Sequence, residues 1–140
     1  MPLQDLEGNA QPLTRWAGKI LVVNFWATWC EPCRVEIPAL IRIQEKFSDK
    51  SVQMVGIAID SAAKVKEFAK DFKIQYPLVI GRLNAIDVTR KLGNQSAGLP
   101  YTVVLDATGV IKMRHLGGIA EAQLDETIRS MLHDATQTSA

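Results

Sequence analysis

The chain has 140 residues, 47% of them hydrophobic and 22% charged, with only two cysteines. It is the size of one ordinary domain and large enough to bury a core without cross-links, which excludes a disulfide-dense secreted scaffold. Sixteen basic and fifteen acidic residues leave a net charge of +1. They are scattered, so a nucleic-acid binder's basic footprint is missing, and no run approaches the ~18 apolar residues of a membrane span.

The opening MPLQDLEGNAQP lacks the charged and apolar regions of a signal peptide. That fits either a cytosolic chain or one whose targeting segment is absent. Lys19–Ala27, KILVVNFWA, is a nearly unbroken apolar and β-branched run, suited to a strand covered on both faces. Cys33–Phe47 has helical composition and Ser51–Asp60 repeats the strand pattern, giving a β-α-β unit. In Ala62–Phe72 the residues Val65, Phe68, Ala69 and Phe72 recur at helical spacing, and this stripe is core. Tyr76–Ile80 reads as a short strand, and Ile86–Leu92 as a short helix stopped by Gly93-Asn94. Two strands within Tyr101–Gly117 are joined by the turn Asp106–Gly109. Leu124, Ile128, Met131 and Leu132 mark a final helix, and residues 134–140 read as a frayed polar end. Residues 1–140 therefore read as a single α/β domain around one central sheet.

The two cysteines, Cys30 and Cys33, enclose Glu31 and Pro32 where a buried strand hands over to a helix. A helix N-terminus offers unpaired N–H groups and the positive end of its dipole to the first sulfur, which favours the thiolate. In such motifs the thiol pKa falls from about 8.5 to roughly 3.5–7.5. The spacing lets Cys33 resolve a mixed disulfide made by Cys30. Rival readings weigh less. A structural zinc needs four ligands, and only His115 and His133 could join the pair. A purely structural disulfide would close a ring too small to add much stability. A peroxidase of the T-x-x-C kind is opposed by Ala27.

FWATWCEPC after a buried strand resembles a thioredoxin-fold active site. GLPYTVVLD, Gly98–Asp106, resembles that family's cis-proline loop, with Pro100 as the proline. Pro38, inside the active-site helix, and Gly117, after the last strand, agree. Within the family the chain resembles the TlpA and ResA group of membrane-tethered bacterial thiol–disulfide oxidoreductases. It shares their GK-strand-FWATWC start, extra elements over Asp60–Gly93, and the C-x-x-C-x-x-E pattern that ends on Glu36. The resemblance implies a thioredoxin-like fold: a central mixed β-sheet flanked by helices, with an N-terminal β-hairpin and a central α/β insertion. It implies Cys30 as nucleophile, Cys33 as resolving cysteine, and Leu99 pairing its backbone with an extended substrate beside Pro100. Trp29, Glu31 and Pro32 complete the substrate-facing set. It further implies a monomer working outside the cytoplasm on disulfide-bearing proteins, with apocytochrome c as one candidate. The re-reducing partner is a dithiol electron donor, soluble or membrane-bound. No metal or organic cofactor is expected beyond the Cys30–Cys33 pair.

One departure matters. Where thioredoxin has a buried aspartate before the active site, this chain has Asn24, which cannot take a proton. Glu36, one helical turn beyond Cys33, is the candidate proton acceptor. Glu31 and Glu36 disfavour further negative charge, which argues for a reductant rather than an oxidant. Arg34 reads as a solvated helix residue, Trp26 as core, Trp29 as an apolar contact for partners, and His115 as a strand residue without chemistry. A net oxidant or isomerase on the same fold, or a peptide-binding module with incidental cysteines, are the alternatives.

Overall fold

A computed structural model of the protein describes residues 3–138. The run Ile20–Trp26 (β1) is buried at every position, as its unbroken apolar character requires. Around it lie Glu31–Phe47 (α1), Val52–Ile59 (β2), Ala62–Phe72 (α2), Leu78–Gly81 (β3), Leu83–Lys91 (α3), Tyr101–Leu105 (β4), Ile111–Leu116 (β5) and Glu121–Thr138 (α4). The five strands form one sheet in the order β3-β2-β1-β4-β5. β1, β2 and β3 run parallel, while β4 and β5 are antiparallel. The expected mixed sheet flanked by helices is therefore present.

Alternation along β1 sorts the core into two layers. Ile20, Val22 and Trp26 pack with Ile37 and Leu40 of α1, Val65 and Phe68 of α2, and Leu124 and Ile128 of α4. Leu21, Val23 and Phe25 pack on the other side with Leu3, Trp16 and Ala85 of α3. Each fully buried large side chain contributes on the order of 1.5–3 kcal/mol. Trp26 is core, as expected, its ring 5.0 Å from that of Phe68. On the α1 side, Arg42 pairs with Glu121 and Lys46 with Asp125, joining α1 to α4 by exposed contacts of small energetic value.

Several boundaries move for local reasons. α1 begins at Glu31 rather than Cys33, because Pro32 has its φ fixed for a first helical turn. α3 starts at Leu83, where Asn84 Oδ1 accepts from the Arg82 and Ala85 N–H groups. The opening hairpin contracts to a single antiparallel bridge between Gln4 and Ala10. Asp5 accepts from Glu7 N and Asn9 N and so holds a tight turn between them. Gln4 also exchanges two backbone hydrogen bonds with Ile80, which covers the edge of β3. α4 continues to Thr138, through residues 134–138 that the sequence reading leaves frayed; residues 139–140 lie outside the described residues.

Gly56 on β2 leaves room for a close approach. A Cβ there would sit 2.8 Å from Leu78 Cδ2 and 3.0 Å from Trp26 Nε1. Gly56→Ala is therefore expected to cost about 1–3 kcal/mol through overpacking, read as a lower urea midpoint with an unchanged slope.

Candidate active site

β1 ends beside the site, and the chain turns sharply over Ala27–Cys30, with Cys30 N donating to Ala27 O at 3.2 Å. Asp60, at the carboxyl end of β2, clamps this turn. Its Oδ2 accepts from Thr28 N at 3.1 Å and Thr28 Oγ1 at 2.5 Å, while Oδ1 accepts from Ser61 N. Burial by itself would raise the Asp60 carboxyl, but these hydrogen bonds outweigh it and hold it below the usual range.

The turn delivers Cys30 to the N-cap of α1, where its Sγ accepts from Cys33 N at 3.4 Å. The two cysteines form a disulfide with Cα atoms 5.3 Å apart. Cys30 keeps 7% of its surface exposed and Cys33 none. The opening to the first sulfur is narrower than the sequence suggests, but the ranking is the one exchange needs. When the pair is reduced, the N-cap geometry offers a backbone N–H and the helix dipole to a Cys30 thiolate. Around this opening Trp29 is 69% exposed, and Glu31, Pro32 and Arg34 are exposed.

The Leu99–Pro100 bond is cis. β4 starts directly after it, and the Phe25–Tyr101 pairing sets the loop at the same sheet end as the cysteines. Leu99 packs against the cluster that contains both cysteines. The loop before it is built by buried Asn94, whose Nδ2 donates to Gly98 O at 2.9 Å and Thr89 Oγ1 at 3.2 Å. Among the described residues nothing hydrogen-bonds the Leu99 backbone, which leaves it open to an extended chain.

Glu36 lies inside the protein, only 5% exposed. Its Oε1 accepts from Asn24 Nδ2 at 2.7 Å and its Oε2 from Ile119 N at 2.9 Å. Burial pushes its carboxyl up, against the opposing pull of the Ile119 and Asn24 hydrogen bonds. Asn24 Nδ2 also reaches Thr102 Oγ1 at 3.2 Å. Asn24 Oδ1, Trp26 Nε1 and the Tyr76 hydroxyl are buried with no hydrogen-bonding partner among the described residues. The Tyr76 phenol is pushed up by burial and by the charge of Glu36. No three His, Cys, Asp or Glu side chains gather among the described residues as a metal site would require.

Sequence reasoning reached Cys30, Cys33, Glu36, Trp29, Leu99 and Pro100, and the fold brings them to one end of the sheet. It missed the Asp60 clamp, the Asn94 loop anchor and the Asn24–Thr102 contact. Asp60 and Thr102 lie 32 and 78 positions from their partners, and no local spacing signals such pairs.

The geometry is that of a dithiol poised for disulfide exchange on a thioredoxin fold. A Redoxin family profile matches residues 1–128, and the chain belongs to that family. It is similar to the thioredoxin-like protein YneN of Bacillus subtilis (strain 168), 32% identical over 130 residues that span 90% of this chain and 73% of that protein. It is also similar to the thiol-disulfide oxidoreductase ResA of a Bacillus cereus strain, 31% identical over 86% of this chain and 68% of the relative. Among solved structures, a thiol:disulfide interchange protein of the thioredoxin family from Chlorobium tepidum TLS superposes with a TM-score of 0.82. It is 29% identical, and the match covers 94% of both chains. The chain is thus a thioredoxin-like, ResA-type thiol–disulfide oxidoreductase.

Proposed function

We propose that the protein is a net reductant of protein disulfides in which Cys30 attacks, Cys33 resolves and Glu36 takes the resolving proton. An extended substrate lies along Leu99 and Pro100, with Trp29, Glu31 and Pro32 at its margin. The Cys30 thiolate attacks one sulfur of the substrate disulfide, forming a mixed disulfide and expelling the other sulfur, which takes up a proton. Cys33 then passes its proton to Glu36 and attacks Cys30 Sγ. The second substrate sulfur leaves as a thiolate and takes up a proton, two electrons have moved to the substrate, and the Cys30–Cys33 disulfide remains. A dithiol donor restores the pair. No metal or organic group takes part.

The observation that carries this reading is the buried Glu36 one turn beyond a fully buried Cys33. A thiol with no route to water needs an internal acceptor, and a carboxylate raised by burial is matched to that task. The resemblance to the TlpA and ResA group supports work outside the cytoplasm, on a membrane-facing donor, with apocytochrome c as substrate. Oxidised peptides carrying C-x-x-C-H, the c-type haem attachment segment, should be reduced faster than glutathione disulfide. Equilibration against glutathione should give a potential nearer about −270 mV than about −120 mV. A value at the oxidising end, or no preference for the C-x-x-C-H peptide, would remove the reductant or the substrate assignment respectively. Recovery of the protein in the cytosolic fraction of its host would remove the localisation.

A further inference from the structure

A single polar rung crosses the sheet beneath α1. Asn24 of β1 is paired in register with Gly56 of β2 on one side and Thr102 of β4 on the other, and Thr102 is paired with His115 of β5. Register partners project to the same face, and Asn24 shows which face it is by donating to Glu36 of α1. His115 therefore stands at the outer end of the rung, on the sheet's edge strand, half-buried.

The chain then loops back through Gly117 and Gly118, and one peptide unit joins the histidine to the carboxylate. His115 Nε2 lies 3.0 Å from Gly118 O, and the N–H of the same peptide, Ile119 N, donates to Glu36 Oε2 at 2.9 Å. A carbonyl oxygen only accepts, so Nε2 carries the hydrogen. A hydrogen bond to the carbonyl polarises the amide and strengthens what its N–H donates. Gly117 supports the geometry with φ +97°, and a Cβ there would meet nothing within 4 Å, so this glycine answers a backbone demand and not a packing one.

We propose that His115 is a positioning residue of the thiol exchange, acting on the Glu36 carboxylate through the Gly118–Ile119 peptide. The inference rests on the reading of Glu36 as proton acceptor for its consequence, but not for its test. The Ile119 N–H and the charge effect of His115 both favour ionised Glu36, so losing either lets Glu36 hold its proton more readily. Toward His115, α1 presents Glu36 and β4 the neutral Thr102. α4 turns the neutral Thr127 to β5, bonding Met113 Sδ, while its Glu121 and Asp125 pair with Arg42, Lys46 and Arg129. On β5 itself Lys112 pairs with Asp106 and Arg114 reaches Leu92 O on the opposite face.

The test is the Glu36 side-chain carboxyl titration, followed by carbon NMR in the full chain. His115→Gln keeps a donor for Gly118 O and removes the charge; His115→Ala removes both. The Glu36 midpoint should rise by about half a pH unit in His115→Gln, the size of a screened charge pair, and further in His115→Ala. The pH profile of mixed-disulfide resolution should move with it. A Glu36 midpoint equal to wild type in both variants overturns the proposal, whatever Glu36→Gln does to the rate. Conversely, a shifted midpoint with no effect of Glu36→Gln on resolution upholds the coupling and removes Glu36 as the base.

Discussion

Cys33→Ser is expected to turn a catalyst into a trap. Cys30 still attacks a substrate disulfide, because its N-cap position and its remaining exposure do not depend on the second sulfur. Nothing can then attack the Cys30–substrate bond from within, since Cys33 is the only other cysteine. Insulin reduction should stop after one covalent event, and the adduct should survive non-reducing gel electrophoresis with its link mapped to Cys30. Cys30→Ser should abolish both turnover and adduct, because Cys33 is fully buried and cannot reach a visiting disulfide. Turnover that survives in Cys30→Ser would reverse the assigned roles.

Glu36→Gln should leave adduct formation intact and slow resolution by about a hundredfold, the lower range for loss of a positioned general base. The same substitution has a second signature. Burial raises the Glu36 carboxyl, so the native state holds that proton more tightly than the unfolded chain does. The stability this gives is fully present below the ordinary glutamate range and is lost as pH rises through the raised value. Glu36→Gln removes that loss, so its stability should fall less than wild type as pH rises from the ordinary glutamate range through the raised value. The amide fits because Asn24 Oδ1 has no partner among the described residues. By flipping, Asn24 can accept from the new side-chain amide, as it could from a protonated Glu36. Urea unfolding at several pH values checks this. Wild-type resolution rates together with an unaltered pH slope would remove Glu36 from the mechanism.

What was readable in the chain follows from range. Ile20–Trp26, Val52–Ile59 and Ala62–Phe72 carry their own periodicity, and the Asp106–Gly109 turn its own chemistry: Asp106 accepts from Thr108 and Val110, and Gly109 takes φ +88°. The dithiol at a strand-to-helix junction was visible for the same reason. Glu36 was visible only as part of a pattern; that it is buried, rather than a solvated helix residue, depends on Asn24 and on Ile119, 83 positions away. Thr28 with Asp60, and His115 with Gly118 and Glu36, are products of sheet order and loop closure. The opening hairpin is a single bridge, and its Gln4 pairs on the other side with Ile80 of β3, a contact no local reading of residues 1–12 contains.

Graded alkylation of the reduced protein tests most directly whether one sulfur is both activated and reachable. With limiting iodoacetamide, peptide mass mapping should find label on Cys30 first and nearly alone, persisting below the pH at which a free thiol reacts. Cys33 should take label only after unfolding. Equal labelling of the two cysteines in the folded protein, or faster labelling of Cys33, would contradict a nucleophile held at the mouth of α1.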